Sequence, residues 1–226
     1  MAEELPVARR WAVGALLTMT FATGLVDALS YLRLGRVFVA NMTGNVVFLG
    51  FSVAQKYGLP VVAPIVSMAS FVLGSLIGGQ LSRVLGGSPR RWIAGAFAGQ
   101  AAVLAGTAVL IGTGVLDTRH GHALVLIAIL GTCCGLQNAT VRLMAPRDLT
   151  TTVLTQTVTG LAAESALGAG TGAKPHRRLG SVLAMLGGAV VGGLLLEVTV
   201  AGLVGIVAVL VAGTAGVFAL APPPEA

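Results

Sequence analysis

The chain has 226 residues, of which 55% are apolar and only 10% charged, with 32 glycines and a mean hydropathy of +0.92. Soluble domains carry about 25% charged residues, so this composition excludes a soluble enzyme, a nucleic-acid binder and a disordered linker, and points to a polytopic membrane protein. The net charge of +6 sits in pairs beside apolar runs (Arg9 and Arg10, Arg90 and Arg91, Arg177 and Arg178), where basic residues orient spans against an anionic leaflet.

Crossing the hydrocarbon core takes about 20 apolar residues in a helix. Eight segments are candidates: 11–32, 37–55, 60–82, 91–116, 121–143, 150–170, 179–197 and 200–221. The first is too long for a signal-peptide core and lacks a small-x-small cleavage site, so it reads as a retained span. Trp11 and Trp92 each follow an Arg pair, as interfacial anchors do. Cys133 and Cys134 are neighbours inside an apolar run, where they form neither an ordinary disulfide nor a zinc site and read as packing residues. Pro222, Pro223 and Pro224 stop the last helix.

Two of the eight segments are polar. Segment 150–170 holds Thr155, Gln156, Thr157, Thr159, Glu164 and Ser165, and segment 37–55 reads Asn41-Met42-Thr43-Gly44-Asn45 near its centre. Segments of this kind can re-enter on one side while neighbouring helices shield them from lipid. The distribution of basic residues separates the options. Eight spans with the N-terminus inside divide the 14 Lys and Arg seven to seven. Six spans place Arg9, Arg10, Arg83, Arg90, Arg91, Arg142, Arg147, Lys174, Arg177 and Arg178 inside, against Arg33, Arg36, Lys56 and Arg119 outside. A seven-span chain with its N-terminus outside ties that count but treats two similar segments differently. The expectation is six spans, two polar re-entrant segments, and both termini in the cytoplasm.

The halves also resemble each other. Gly24-Leu25-Val26-Asp27-Ala28 aligns with Gly135-Leu136-Gln137-Asn138-Ala139, Met42-Thr43-Gly44 with Val158-Thr159-Gly160, and Gly74-Ser75-Leu76-Ile77-Gly78-Gly79 with Gly188-Ala189-Val190-Val191-Gly192-Gly193. The offsets are 111, 116 and 114. Within a single membrane domain, residues 11–116 then form one repeat and 121–221 a second. Because each has three spans, the second is inverted relative to the first, an arrangement that recurs in transporters with sites near the midplane.

The stretch from Gly24 to Tyr31, followed by Val37-Phe38-Val39-Ala40-Asn41-Met42-Thr43-Gly44-Asn45, resembles the signature of the YoaK family of bacterial membrane proteins. The likeness runs from about residue 12 to 221, specific in this N-terminal stretch and loose elsewhere. It implies a multi-span protein of the bacterial inner membrane and transfers no catalytic or binding residue.

The candidate substrate-path residues are Asp27, Asn41, Thr43, Gly44, Asn45, Asn138, Thr157, Thr159, Gly160 and Glu164. An acid inside a span costs about 2.5–3.5 kcal/mol on insertion scales and therefore faces a cavity or a partner. For Asp27 the alternatives are a relay or pore charge, an ion pair with Arg33 or Arg36, or a cap for the re-entrant helix. Asn138, its repeat partner, cannot titrate. The 41–45 segment offers either a polar helix start that holds a solute or simple self-capping. Glu164 reads as an ion pair with Arg142, Arg147 or Lys174, or as the internal counterpart of Asp27. Gln100 calls for an interhelical hydrogen bond, and Gly74/Gly78 and Gly188/Gly192 for close packing inside the bundle more than a dimer seam. His120, His122 and His176 read as solvated loop residues. No catalytic motif, metal set or cofactor is expected. The reading is an inner-membrane channel or secondary transporter for a small solute, its path lined by the two polar segments. The alternative is a membrane-embedded scaffold without transport. Its partners are the bilayer and a small solute, with homo-oligomer formation left open and nucleic acid excluded.

Overall fold

A computed structural model describes residues 7–54, 61–144, 154–165, 168, 170 and 175–222. Among them the chain is all α-helix: α1 (Arg9–Arg33), α2 (Met42–Val53), α3 (Val62–Leu85), α4 (Pro89–Gly112), α5 (His120–Met144), α6 (Leu154–Ala163), α7 (Pro175–Leu195) and α8 (Val200–Leu220). Six of these, all but α2 and α6, are long and apolar enough to cross a membrane. The twelve residues of α2 and ten of α6 reach only about 18 and 15 Å at 1.5 Å per residue, short of a hydrocarbon core about 30 Å thick. His120 and His122 belong to the first turn of α5, and His176 to that of α7, so none of the three is a loop residue.

Three helix pairs build the bundle: α1 with α7, α3 with α5, and α4 with α8. Helix directions follow from which residues meet. Gly180 faces Leu17, Gly187 faces Phe21 and Gly192 faces Ala28, so α1 and α7 run parallel. Gly131 faces Ser70, Gly135 faces Phe71 and Gly78 faces Ala139, so α3 and α5 also run parallel. In contrast, Gly112 faces Ala201 and Gly205 faces Ala108, so α4 and α8 are antiparallel. Arg90 at the start of α4 donates to the carbonyls of Phe218, Ala219 and Ala221 at the end of α8, where a cation meets the negative helix terminus. At the same end the Ala8 N–H donates to the Pro222 carbonyl (3.0 Å). At the opposite end Arg33 closes α1 onto the Leu196 carbonyl after α7 (2.9 Å). The short turn after α3 leads straight into α4, so α3 finishes where α1 starts, and α1 finishes at the end of the bundle where α3 begins.

Lipid is as apolar as leucine, so helices associate in it through close packing rather than water exclusion. Here the approach is close enough to require bare backbone. A side-chain carbon on Gly24 would sit 2.8 Å from the Ala189 nitrogen, and one on Gly135 would sit 2.9 Å from the Ser75 nitrogen. Likewise a carbon on Gly192 would lie 2.8 Å from Ala28 Cβ, and one on Gly78 would lie 2.8 Å from Ala139 Cβ. Gly188 meets the Phe21 carbonyl as Gly74 meets that of Thr132. Every α1 position in one seam is 111 residues from its α5 equivalent in the other, and every α3 position is 114 from its α7 equivalent. The two seams therefore share one register.

Substituting Gly135→Val or Gly188→Val drives a side chain into backbone that cannot yield. We expect each to lower stability by at least about 1–3 kcal/mol, the usual range for overpacking. Gly79→Ala, with open space at its Cβ position, should be neutral or slightly stabilising. Thermal unfolding of the three purified variants in detergent checks this.

Candidate functional site

After α1, Gly35 (φ 127°) and Arg36 (φ 57°) turn the chain back on itself. Arg36 holds a left-handed conformation that glycine adopts more readily. Residues 37–41 then return along α1 to the depth of Asp27, with Val37, Val39 and Ala40 fully buried. A non-helical segment inside a helical bundle leaves its backbone N–H groups without partners, and each orphan costs about 1–3 kcal/mol. Two side chains meet that demand. Asp27 accepts the N–H groups of Val39 and Ala40 (both 3.0 Å) on Oδ1 and the Asn41 amide on Oδ2. Asn45, completely buried, accepts the Phe38 N–H (2.9 Å) and returns its own amide to the Phe38 carbonyl and to Ser67 Oγ (3.0 Å). Ser67 donates to the same Phe38 carbonyl (2.6 Å). Phe38 packs against both Tyr31 (centroids 5.2 Å) and Phe48 (5.8 Å), which also touch each other (6.2 Å), and only the absence of a side chain at Gly44 lets its ring lie there.

This arrangement decides between the alternatives for Asp27. Its carboxylate makes no salt bridge among the described residues, and Arg33 is engaged elsewhere; Asp27 caps the backbone that enters α2. Asn41 supports that cap. Thr43, by contrast, is exposed on the outer side of α2 and does not join it. Asn138 is half-buried and donates to the Cys134 carbonyl one turn back (2.9 Å). At the offset of 116 that aligns Met42-Thr43-Gly44 with Val158-Thr159-Gly160, residues 37–41 correspond to 153–157, of which 154–157 already belong to α6.

On α6 the geometry differs. Thr159 is exposed and Thr157 half-buried. Glu164 forms a two-pronged pair with Arg178 (2.7 and 3.1 Å), whose guanidinium lies over Gly160. The expected ion pair is present, but its described partner is Arg178 on α7; Arg147 and Lys174 lie outside the described residues. α2 packs on α3 at one end of the bundle and α6 on the start of α7 at the other. Thr157, Thr159 and Gly160 are therefore not brought to Asp27 and Asn41, and α2 and α6, the described helices of the two polar segments, do not meet at mid-depth.

What occupies mid-depth is a hydrogen-bonded chain across three helices. Gln100 on α4 donates to Gln137 on α5 (3.0 Å), Gln137 donates to Thr23 on α1 (3.1 Å), and Thr23 donates to the Met19 carbonyl (2.9 Å). All three side chains are at most 3% exposed. Oε1 of Gln100 is buried and has no partner among the described residues. A cavity of about 10 Å³, bordered by Thr23, Gln100, Gln137, Cys133 and Cys134, adjoins the chain. That is about the space one water needs. The bond expected of Gln100 is here, whereas Gln137 and Thr23 escaped notice as site residues. A second lone amide in another apolar span was the available signal. Among the described residues, no group of His, Cys, Asp or Glu is placed to hold a metal ion.

The family model for a protein of unknown function (DUF1275) matches residues 15–217, so the chain belongs to that family. It is 30% identical over 147 residues to the UPF0700 transmembrane protein YoaK of Bacillus subtilis (strain 168). The aligned region covers 63% of this chain and 62% of that relative, so the chain spans a little under two thirds of its length. No solved structure matches. The family resemblance read from residues 24–45 is thus correct, and the chain is a multi-pass membrane protein.

If Asp27 acts as a cap, Asp27→Ala strands two backbone N–H groups and one amide, and should cost at least about 3 kcal/mol at about 1–3 kcal/mol for each orphan. Asp27→Asn keeps one acceptor oxygen for the backbone and should lose about half as much. Parallel thermal melts of the two variants against wild type test the ranking. Equal losses would contradict it.

Proposed function

For this member of the DUF1275 family we propose a channel or secondary transporter of the bacterial inner membrane that carries a small, uncharged, hydrogen-bonding solute. The observation that supports this reading most is the Thr23–Gln137–Gln100 chain at mid-depth, where three helices from both halves converge. Buried amides of this kind are costly in a bundle that needs only to pack, and they suit recognition of a polar, neutral molecule. Among the described residues the acid beside that depth is Asp27, committed to the backbone that leads into α2, which argues against a proton-coupled carboxylate. The common register of the two glycine seams, with α1 opposed in direction to α5, α3 to α7 and α4 to α8, supports an inverted repeat about an axis in the membrane plane. On this reading α2 and α6 are re-entrant elements entering from opposite faces, and the ends of α1 and α4 that carry Arg9, Arg10 and Arg90 face the cytoplasm.

A second reading, a membrane-embedded scaffold, draws on α7. Its outward face carries Leu179, Leu183, Leu186, Val190 and Leu194, all exposed, and little of the helix is buried in the bundle. It calls for stoichiometric co-purification with another membrane protein and no flux.

Stopped-flow light scattering on proteoliposomes, with glycerol, urea and small neutral amides as osmolytes, tests the proposal. Wild type should raise the permeability of at least one solute above that of protein-free vesicles. Gln100→Leu and Gln137→Leu should each reduce it at least about tenfold, the effect of roughly 1.4 kcal/mol, while inserting normally. Vesicle-like permeability across the panel, or flux unaffected by both variants, overturns it.

A further inference from the structure

Between α1 and α8, at the end of the bundle where Arg90 closes α8, lies an open groove of about 570 Å³. It runs from Arg10 and Trp11 past Gly14 to Thr18 on α1, and along Gly213 and Val217 on α8. Along α1 that is about 12 Å of helix. Its depth comes from Gly14 and Gly213, neither of which has an atom within 4 Å of an added Cβ. Its two hydroxyls are already used: Thr18 donates to the Gly14 carbonyl (3.0 Å) and Thr214 to that of Leu210 (3.1 Å). The wall is therefore apolar in what it has left to offer.

The mouth is the reverse. Arg10 is exposed and bonds to no described residue, with Arg9 exposed beside it and the indole of Trp11 45% exposed. A guanidinium is always charged and matches a phosphate through paired N–H groups, and an indole favours the boundary between headgroups and acyl chains.

We propose that this groove is a binding site for an anionic membrane phospholipid, its phosphate on Arg10 and one acyl chain along Gly14 and Gly213. An apolar slot that opens at the membrane surface under an unpaired cation is complementary to that amphiphile. A soluble anion would leave the slot empty, and a neutral lipid would leave the guanidinium without its counter-charge. The site is separate from the Thr23–Gln137–Gln100 chain and does not depend on transport.

The test uses Trp11 as reporter in the full-length protein carrying Trp92→Phe, because Trp92 is buried (5% exposed) and would contribute a constant background. The protein is reconstituted in phosphatidylcholine vesicles doped with acyl-brominated phosphatidylglycerol or, separately, acyl-brominated phosphatidylcholine. Half-maximal quenching should need about fivefold less of the brominated phosphatidylglycerol, the preference expected of one basic residue at an anionic surface. Arg10→Gln should abolish that preference, and Gly14→Leu with Gly213→Leu should reduce quenching by either lipid. Gel filtration and retention of phosphatidylglycerol in native mass spectrometry separate loss of the site from loss of fold. Equal quenching by the two lipids in wild type, a preference that survives Arg10→Gln, or quenching unchanged after the groove is filled would each overturn the proposal.

Discussion

The structure depends on how closely two pairs of parallel helices approach. Where α1 meets α7 and α3 meets α5, backbone touches backbone at Gly24, Gly188, Gly74 and Gly135. A bilayer supplies no hydrophobic force to press helices together, so their association rests on dispersion contacts and on the few hydrogen bonds that cross the seam. Both improve steeply as the axes approach. Ser75 reaches the Gly135 carbonyl (3.2 Å) only because no side chain intervenes. Each seam joins one helix of the first half to one of the second, so neither half can assemble its seams alone.

The polar elements take their places within that frame. The α1–α7 seam fixes the depth of Asp27, and Asp27 with Asn45 then holds a non-helical segment that no helix ladder supports. In effect, Asn45 pairs the N–H and C=O of Phe38 as a neighbouring strand would. The local energy is large, because five backbone or amide groups in an apolar setting would otherwise lack partners. This explains why the residues that stand out in the 24–45 stretch are Asp, Asn, Gly and aromatics. They build a device for carrying the chain into the bundle and starting a short helix there, and Phe38 over Gly44 closes it sterically.

Much of the architecture was legible beforehand. Six helices apolar and long enough to cross, close packing at Gly74/Gly78 and Gly188/Gly192, and a partner for Gln100 follow from apolar length, glycine spacing and the cost of an orphan amide. The parts that were not legible involve choices among equivalent partners. Glu164 had several cations within reach along the chain, and Arg178 won because α6 folds back onto the first turns of α7. Thr43 sits beside Asn41 and Asn45 in sequence, but one helical step turns it outward. Gln137 lay within an aligned motif, so its role as the hinge of a buried amide chain was hidden behind the resemblance.

The amino-acid sequence alone determined that this chain lives in a membrane, which of its segments are apolar enough to be candidates for crossing, and that Gly74/Gly78 and Gly188/Gly192 pack closely, because each of these follows from local composition against a solvent of fixed thickness and polarity. It also marked Asp27, Asn41 and Asn45 as residues that could not face lipid. Only the tertiary structure decided what they do instead. Whether a buried acid serves a proton, a cation or a backbone N–H depends on which groups the fold brings within 3 Å, and residues 39 and 40 reach Asp27 only after a turn at Gly35 and Arg36 reverses the chain. The same reason places the central chain at Thr23, Gln137 and Gln100, since their meeting is a property of three helix axes and of no single stretch of sequence.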